Sequence, residues 1–584
     1  MRYILKYLKP FSRRLTFNMI LKVFATVIEL ALPRILSYIL NEIISPLEGQ
    51  TAVDTRAKAL EIALYAVLMI VCAALGVAGS IKANRVSAEI AKDAAGMIRH
   101  DLFDRTVRLT PAQTDAFTVP SLESRITSDT YNIHNFINSM QRMGVRAPIM
   151  LAGGLAVCAT MDLRLTLVMA AVLPFLFVAV YTITSKGLPL YTKVQAAVDG
   201  MIRVVREDAQ GIRVIKALSR RDYEYRRYEC ENRKLARIEV KTNSIMAASN
   251  PAMNFFMNLG LVAVVFFGAR LVNGGLSKPG DIIAFIQYFT MISMAMMGVS
   301  RIFVMWSKAS ASAGRVAEVL RTGEGLPVMS EEGSPRREGE EGIVFDSVDF
   351  DYAGTSGILR GIDFSLPRGG KLGIIGATGS GKTTVVSLLM RFYDHSSGSV
   401  RIDGRDVRTL TRDELKNRFG AAMQNDFIFA GTVAENISFF RDIPQDRIER
   451  AARIAQADGF IEALPDGYAH ELSSGGTNLS GGQRQRVLIA RAIAGDPGIL
   501  ILDDSSSALD YGTDMKLRRA IASEMSGVTT VVVAQRVSSV MSCDLILVLD
   551  GGRIIGSGDH ASLLRDCPVY REISDSQMGG AFLE

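Results

Sequence analysis

Residues Gly376-Ala377-Thr378-Gly379-Ser380-Gly381-Lys382-Thr383 have the types and order needed to hold a phosphate chain. A strand-like apolar run, Lys371 to Ile375, leads in, and a helix-like run, Thr384 to Met390, leads out. In that setting the glycines let backbone N–H groups converge on phosphate oxygens at a helix N-terminus, whose dipole favours anions. Lys382 has the reach for the β- and γ-phosphates, and the Thr383 hydroxyl suits Mg²⁺. A second element, Ile499-Leu500-Ile501-Leu502-Asp503, is an apolar strand ending in a carboxylate that can hold the same Mg²⁺ through water. Alone such a strand is common; downstream of a phosphate loop it gains meaning. A third, Leu479-Ser480-Gly481-Gly482-Gln483, is another glycine-rich turn leading into a helix (Arg484 to Ile493). A second anion-binding terminus is redundant unless it serves a different nucleotide, which points to two facing subunits with nucleotides between them.

The elements that must position these residues follow from composition. A chain of 584 residues exceeds one core, and 48% hydrophobic content beside 22% charge suggests an apolar part joined to a soluble one. The mean hydropathy of +0.20 agrees. A net charge of +6 is too small for this length to argue for nucleic acid. Six apolar stretches approach the ~20 residues that cross a bilayer: Leu15 to Ile44, Ile62 to Ile81, Met143 to Thr160, Leu163 to Thr184, Ile245 to Val272 and Asp281 to Trp306. Basic residues crowd the N-terminus (Arg2, Lys6, Lys9, Arg13, Arg14) and the segment Lys193 to Lys241, as on cytoplasmic flanks of spans. The long links Lys82 to Arg142 and Ser185 to Ser244 then fall on the cytoplasmic side as helical extensions, with turning points at Pro120-Ser121-Leu122 and Gln210-Gly211-Ile212. The composition predicts a membrane α-helical domain over 1–320, a solvated linker over 321–341 and an α/β phosphate-loop ATPase domain over 342–584. Cys72, Cys158, Cys230, Cys543 and Cys567 show no paired spacing and read as free thiols. No cleavable signal and no extra domain before the first span are expected.

On these motifs and their order, the chain resembles an ATP-binding cassette (ABC) exporter half-transporter along nearly its whole length. The resemblance implies ATP and Mg²⁺ as cofactors. It implies that Tyr352 stacks on adenine, that Gly376 to Thr383 with Thr384 form the Walker A loop, and that Gln424 senses Mg²⁺. It also implies that Asp503 closes Walker B, that Leu479 to Gln483 is the signature motif, and that Ser507-Ala508-Leu509-Asp510 is the D-loop. Segments around Pro120 and Gly211 would be the coupling helices. Three positions depart from the family. Asp504 stands where a catalytic Glu is usual, Gln535 where a switch His is usual, and Ser474-Gly475 where an acidic-basic pair precedes the signature. An Asp is one methylene short of the attacking water, and a neutral amide cannot replace an imidazole. General-base contributions of ~10²–10⁴-fold are typical, so hydrolysis at this chain's own Walker site is expected to be weak. Two such losses beside an intact signature fit one subunit of a multidrug-type heterodimer whose partner, a second half-transporter, carries the competent site. Drift in a still-active homodimer is the plainer alternative.

The expected function is ATP-driven export of amphipathic small molecules, lipids or peptides across the plasma membrane, with the nucleotide domain cytoplasmic. An ATP-gated channel or regulatory subunit is the rival, although Asp281 and Arg301 are too few for charged pore rings. Six spans exclude a soluble DNA-repair ATPase. Met246, Met253, Met257, Met291, Met294, Met296 and Met297 suit a promiscuous apolar cavity, or simply core and lipid contact. Asn250, Asn254 and Asn258 share one helix face, lining a pathway or bonding between helices. Glu29 is an intramembrane carboxylate, suited to cationic cargo, to pairing with Lys22 or Arg34, or to a wet cavity.

Overall fold

The computed structural model describes residues 2–44, 55–330, 342–352, 355, 357–424, 426–505 and 507–578. They divide into two units, 1–107 with 118–322, and 108–117 with 323–584.

The first unit is helical. Its principal helices are α1 (Ser12–Tyr38), α2 (Thr55–Val107), α4 (Thr130–Met161), α5 (Leu163–Gln210), α6 (Arg221–Ala247), α7 (Ser249–Asn273) and α8 (Pro279–Arg321); α3, Pro111–Phe117, belongs to the second unit. Among the described residues, five helical stretches are long and apolar enough to cross a membrane, and Leu163–Ala179 is a shorter apolar one. The core joins Phe285, Tyr288, Phe289 and Ile292 of α8 to Leu165 and Met169 of α5, Met150 of α4 and Leu30 of α1. Tyr288 lies here because its hydroxyl finds an acceptor, donating to the Leu30 carbonyl at 2.6 Å. Leu60, Leu64, Val67 and Ile70 of α2 remain exposed, which in water would be costly and in lipid is not. At the start of α8, Asp281 accepts from Ser37 (2.6 Å) and Asn41 (3.0 Å), so this carboxylate ties α8 to α1.

The expected turning points are half right. Gly211 does end α5, and Ile212–Ala217 follows as a short helix. Pro120, however, is not a turning point. It occupies the first turn of Val119–Ser124, where its missing N–H costs nothing, and the chain continues through the wide turn Arg125–Asp129 into α4. The reversal lies earlier, at α3, closed by Thr118 at φ 63°, an unfavourable angle for a β-branched residue. Asn254 and Asn258 lie on α7, whereas the Asn250 side chain falls outside the described residues.

The second unit contains β1 (Gly342–Phe350), β2 (Leu359–Pro367), β3 (Lys371–Gly376), α9 (Lys382–Leu389), β4 (Ser397–Ile402), β5 (Phe419–Ala422), α10 (Gly481–Ile493), β6 (Ile499–Asp503), β7 (Thr529–Val533), β8 (Leu545–Asp550), β9 (Arg553–Gly558) and α11 (Pro568–Met578). A six-stranded sheet runs β9-β8-β3-β7-β6-β5, parallel except for β9; β2-β1-β4, with the short strand Arg405–Asp406 beside β4, build a separate four-stranded antiparallel sheet. Strand β6 is buried along its whole length, which explains its unbroken apolar run. The linker expected to be solvated is partly docked. Arg391 donates to the Pro327 carbonyl at 2.7 Å, and the Met329 N–H donates to the Arg408 carbonyl at 2.9 Å. One guanidinium that needs an acceptor and one backbone carbonyl that needs a donor hold a segment that composition alone read as solvated; 331–341 lie outside the described residues.

The foot of α4 is tied to the end of α8 by charge. Asp129, 2% exposed, accepts from Ser312 (2.8 Å) and from Arg315 Nε (2.8 Å), and Arg125 donates to Glu318 (2.8 Å) and to the Arg315 carbonyl (2.7 Å). Arg315→Met is expected to leave the Asp129 carboxylate buried with one donor. Breaking a buried pair costs ~3–5 kcal/mol, and half-exposure of the guanidinium discounts this to about 2 kcal/mol, read as a lower thermal midpoint in detergent. An unchanged midpoint refutes this role.

Candidate functional site

Parallel register sets the site. Val533 lies opposite both Asp503 and Ile374, so β6, β7 and β3 end at one edge, where loops of an α/β sheet meet ligands. At that edge Gly376 has no room for a side chain: a Cβ would stand 2.1 Å from the Leu549 carbonyl oxygen. Gly381, at φ 99°, turns the loop into α9 with a left-handed conformation. Lys382 folds back and donates to the carbonyls of Gly376 (2.9 Å) and Ala377 (2.7 Å). Thr383 donates to Asp503 at 3.4 Å. A cavity of about 290 Å³ is lined here by Tyr352, Thr378, Gly379, Lys382, Thr383 and Thr384, together with Gln424, Asp503, Asp504 and Gln535. The structure thus brings together the sequence-predicted residues of the phosphate loop, the Asp503 strand and the two departures.

The donor set can be tested for fit to a nucleotide and a divalent cation. Asp503 Oδ2 and the Ser380 hydroxyl are buried and find no hydrogen-bond partner among the described residues. Buried polar atoms are normally paired, so each is poised for a ligand: the carboxylate for a cation, the hydroxyl for a phosphate. Burial raises the Asp503 carboxyl above its usual range, opposed by the Thr383 hydrogen bond. Burial also lowers Lys382, opposed by Asp504 and Asp503. A phosphate chain and its cation would relieve both penalties, so the residues fit the groups. Tyr352 donates or accepts at Thr384 (3.3 Å), and its ring meets Tyr393 edge-on with centroids 5.0 Å apart. Tyr393 in turn donates to Asp115 of α3 at 2.5 Å.

Asp504 has an unusual posture. Its backbone is left-handed (φ 48°), its N–H donates to the Val533 carbonyl at 2.8 Å, and its Oδ2 accepts from both Gln424 (3.3 Å) and Gln535 (3.1 Å). Burial raises this carboxyl too, against the pull of Lys382 and Arg536. The two amides converge on the oxygen that a general base would offer to water.

The Leu479–Gln483 turn is elsewhere: among the described residues it does not line the cavity. Ser480 and Gln483 form a reciprocal cap on α10, Gln483 N–H to Ser480 Oγ (3.3 Å) and Ser480 N–H to Gln483 Oε1 (2.9 Å). The cap presents Ser480, Gly481 and the end of α10 to the exterior. Gly475, left-handed at φ 75°, donates to the Ile428 carbonyl at 2.8 Å, a backbone tie where the family has a charged pair. Asp510 caps the next helix through Thr513 N–H (2.9 Å). The Gly211 segment lies in the other unit.

Two contributors were missed from sequence. Arg491 of α10 donates to the carbonyls of Phe427 (2.8 Å) and Asn436 (2.8 Å), bracing the loop beyond Gln424. Gln577 of α11 accepts from Val537 N–H (2.8 Å) and donates to the Gln535 carbonyl (2.9 Å), gripping the backbone of the switch position. Neither has a local signal, because both act on segments remote in sequence. Gln577→Ala should release that grip: hydrogen exchange at the Val537 amide is expected to rise about fivefold, the value of a ~1 kcal/mol hydrogen bond. Unchanged exchange removes Gln577 from the loop's support.

Comparison with known proteins agrees with this geometry. The profile of the ABC transporter transmembrane region matches residues 15–296, and the ABC transporter profile matches 359–507. An uncharacterized ABC transporter ATP-binding protein of Mycobacterium tuberculosis is 32% identical over 578 residues, covering 98% of this chain and 97% of the relative. The uncharacterized ABC transporter ATP-binding protein YfiB of Bacillus subtilis is 31% identical over 587 residues, 99% of each. Among solved structures, a bacterial Atm1-family ABC exporter with ATP bound superposes with a TM-score of 0.81 at 25% identity, covering 96% of this chain and 97% of that one. The transmembrane helices, the phosphate-loop sheet and these relatives together show that this chain belongs to the ABC transporter family, as a multi-pass membrane ATPase coupled to transport.

Proposed function

We propose that the chain is one subunit of a heterodimeric exporter that moves amphipathic small molecules, lipids or peptides out across the plasma membrane. Its nucleotide-binding unit would face the cytoplasm and its own Walker site would be the weakly hydrolytic one. ATP with Mg²⁺ supplies the free energy of phosphoanhydride cleavage. In this reading Thr383 and Asp503 hold the cation, the N–H groups of Gly379 to Thr383 and the Lys382 ammonium hold the phosphates, and Tyr352 faces the base.

The observation that carries the asymmetry is Asp504 Oδ2 held by two amides. A carboxylate one methylene short, with its outer oxygen occupied by Gln424 and Gln535, is badly placed to take a proton from water. The Ser480 cap is intact and outward-facing, so it can complete a partner's site. This chain's site would then stay filled and hold the two nucleotide-binding units together between turnovers. The channel alternative loses support because Asp281, one of its two charges, is engaged by Ser37 and Asn41.

Lys382→Ala is expected to abolish labelling of this chain by a photoreactive ATP analogue; full labelling overturns the nucleotide assignment. In the dimer, Ser480→Arg should nearly abolish steady-state ATPase activity by placing bulk and charge at the competent site, whereas Asp504→Ala should cost less than about threefold. Equal damage from the two favours an active homodimer. Conversely, Asp504→Glu with Gln535→His should raise hydrolysis at this chain's site by about 10–10²-fold, part of the usual general-base contribution. No gain in the double variant argues against these two residues as the limit.

A further inference from the structure

The membrane-spanning unit contains a cavity of about 210 Å³ between α1, α4 and α8. Its lining includes Met143, Met150, Met291 and Met294 with one ion pair, Glu29 to Arg146 at 2.5 Å. The carboxylate expected to pair with Lys22 or Arg34, or to await cationic cargo, is therefore taken by Arg146. Neither partner is buried within the chain: the side chains are 37% and 51% exposed. A charged pair on a spanning segment is too costly to face lipid, so this face turns to a water-filled pathway.

Charge on the three lining helices is one-sided. Glu29 is the only acidic residue of α1, and α4 has none. The acidic residues of α8 are Asp281, engaged by Ser37 and Asn41, and Glu318, engaged by Arg125. Against Glu29 stand Arg146 and, one helical turn before it, the exposed Arg142; Lys22 of α1 is buried and its ammonium is taken by Asn84 of α2 at 2.8 Å. Arg301 is exposed on α8, seven residues past Met294 and three past Gly298, and so shares their face. By their order along α4 and α8, Arg142 lies on the cytoplasmic side of Arg146 and Arg301 on the cytoplasmic side of Met294. Entry from that side passes cations first and then a soft methionine wall.

We infer that this cavity is the cargo-recognition site and that it selects amphipaths carrying an acidic head group. The apolar tail packs on the four methionines, whose flexible thioethers accept varied shapes. The head group is held by Arg146, with Arg142 supplying the second guanidinium, and a planar carboxylate or phosphate suits that fork better than an ammonium suits Glu29. Glu29 holds Arg146 in place and tempers its charge, so bound cargo can leave. This assignment rests on the exporter reading above and narrows its substrate class.

The test uses 11-(dansylamino)undecanoate and the matching 11-(dansylamino)undecylamine, which differ only in head-group charge. Binding is read by dansyl fluorescence to the full chain, with any subunit that copurifies, in nanodiscs of neutral lipid, against empty nanodiscs and without ATP. The acid is expected to bind about tenfold more tightly than the amine. Arg146→Ala should invert that preference by leaving Glu29 unpaired, Glu29→Gln should widen it, and Arg146→Lys should keep its sign. Unaltered ATP-analogue labelling at Lys382 shows that each variant is folded. The inference is overturned if the wild type prefers the amine or binds both alike, or if Arg146→Ala weakens both equally. ATP-driven accumulation in inside-out vesicles separates the two readings: an acid that binds selectively but is not moved by ATP counts against the exporter assignment and leaves the site standing.

Discussion

The nucleotide-binding unit depends on how a parallel sheet handles its strand ends. Three buried strands, β3, β7 and β6, run the same way in fixed register, so the phosphate loop, the switch segment and Asp503 emerge side by side. Their backbones are satisfied within the sheet, which leaves the loop N–H groups beyond them free to converge on an anion. Burial then makes the edge energetically expectant. Asp503 and Lys382 are both pushed toward neutrality, and Asp503 Oδ2 and the Ser380 hydroxyl lack partners among the described residues. Binding a charged ligand answers several unfavourable arrangements at once.

The same edge shows how a small change in side-chain length propagates. Asp504 is one methylene shorter than a Glu, and two amides close on its carboxylate. Gln535 is itself fixed from behind, because Gln577 holds the backbone at Gln535 and Val537. On the opposite flank, Tyr352 meets Tyr393, and Tyr393 donates to Asp115 of α3. This flank of the pocket therefore touches a helix contributed from between the two halves of the helical unit's sequence. The resulting site is braced on both flanks by side chains remote in sequence.

In the helical unit the governing cost is that of charge outside water. Asp281, Asp129 and Glu318 are each engaged by donors at a helix end, where they fasten one helix to another. Glu29 and Arg146 pair on a face the chain leaves open, with further cations beside them. That difference separates charges engaged in packing from a pair left partly exposed.

Much of this was legible before any coordinates. The phosphate loop, the Asp503 strand and the Leu479 to Gln483 turn are local patterns. Each is set by a few consecutive residues whose backbone freedom or hydrogen-bonding capacity admits few alternatives: the structure places the phosphate loop between β3 and α9, Asp503 at the end of β6, and the Leu479 to Gln483 turn at the start of α10. Apolar stretches likewise announced helices, because a continuous run near twenty residues has few other outcomes. What sequence left open was every pairing across distance. It could not choose Arg146 over Lys22 for Glu29, because helix rotation and packing decide which side chains meet. It placed a reversal at Pro120, although proline at a helix start continues a helix as readily as it ends one; α3 and Thr118 make the turn. It read 326–329 as free, since only the folded unit brings Arg391 and Arg408 to those backbone groups. Composition and spacing determined which chemistries the chain can carry, while the tertiary structure decided which groups satisfy one another and which remain available.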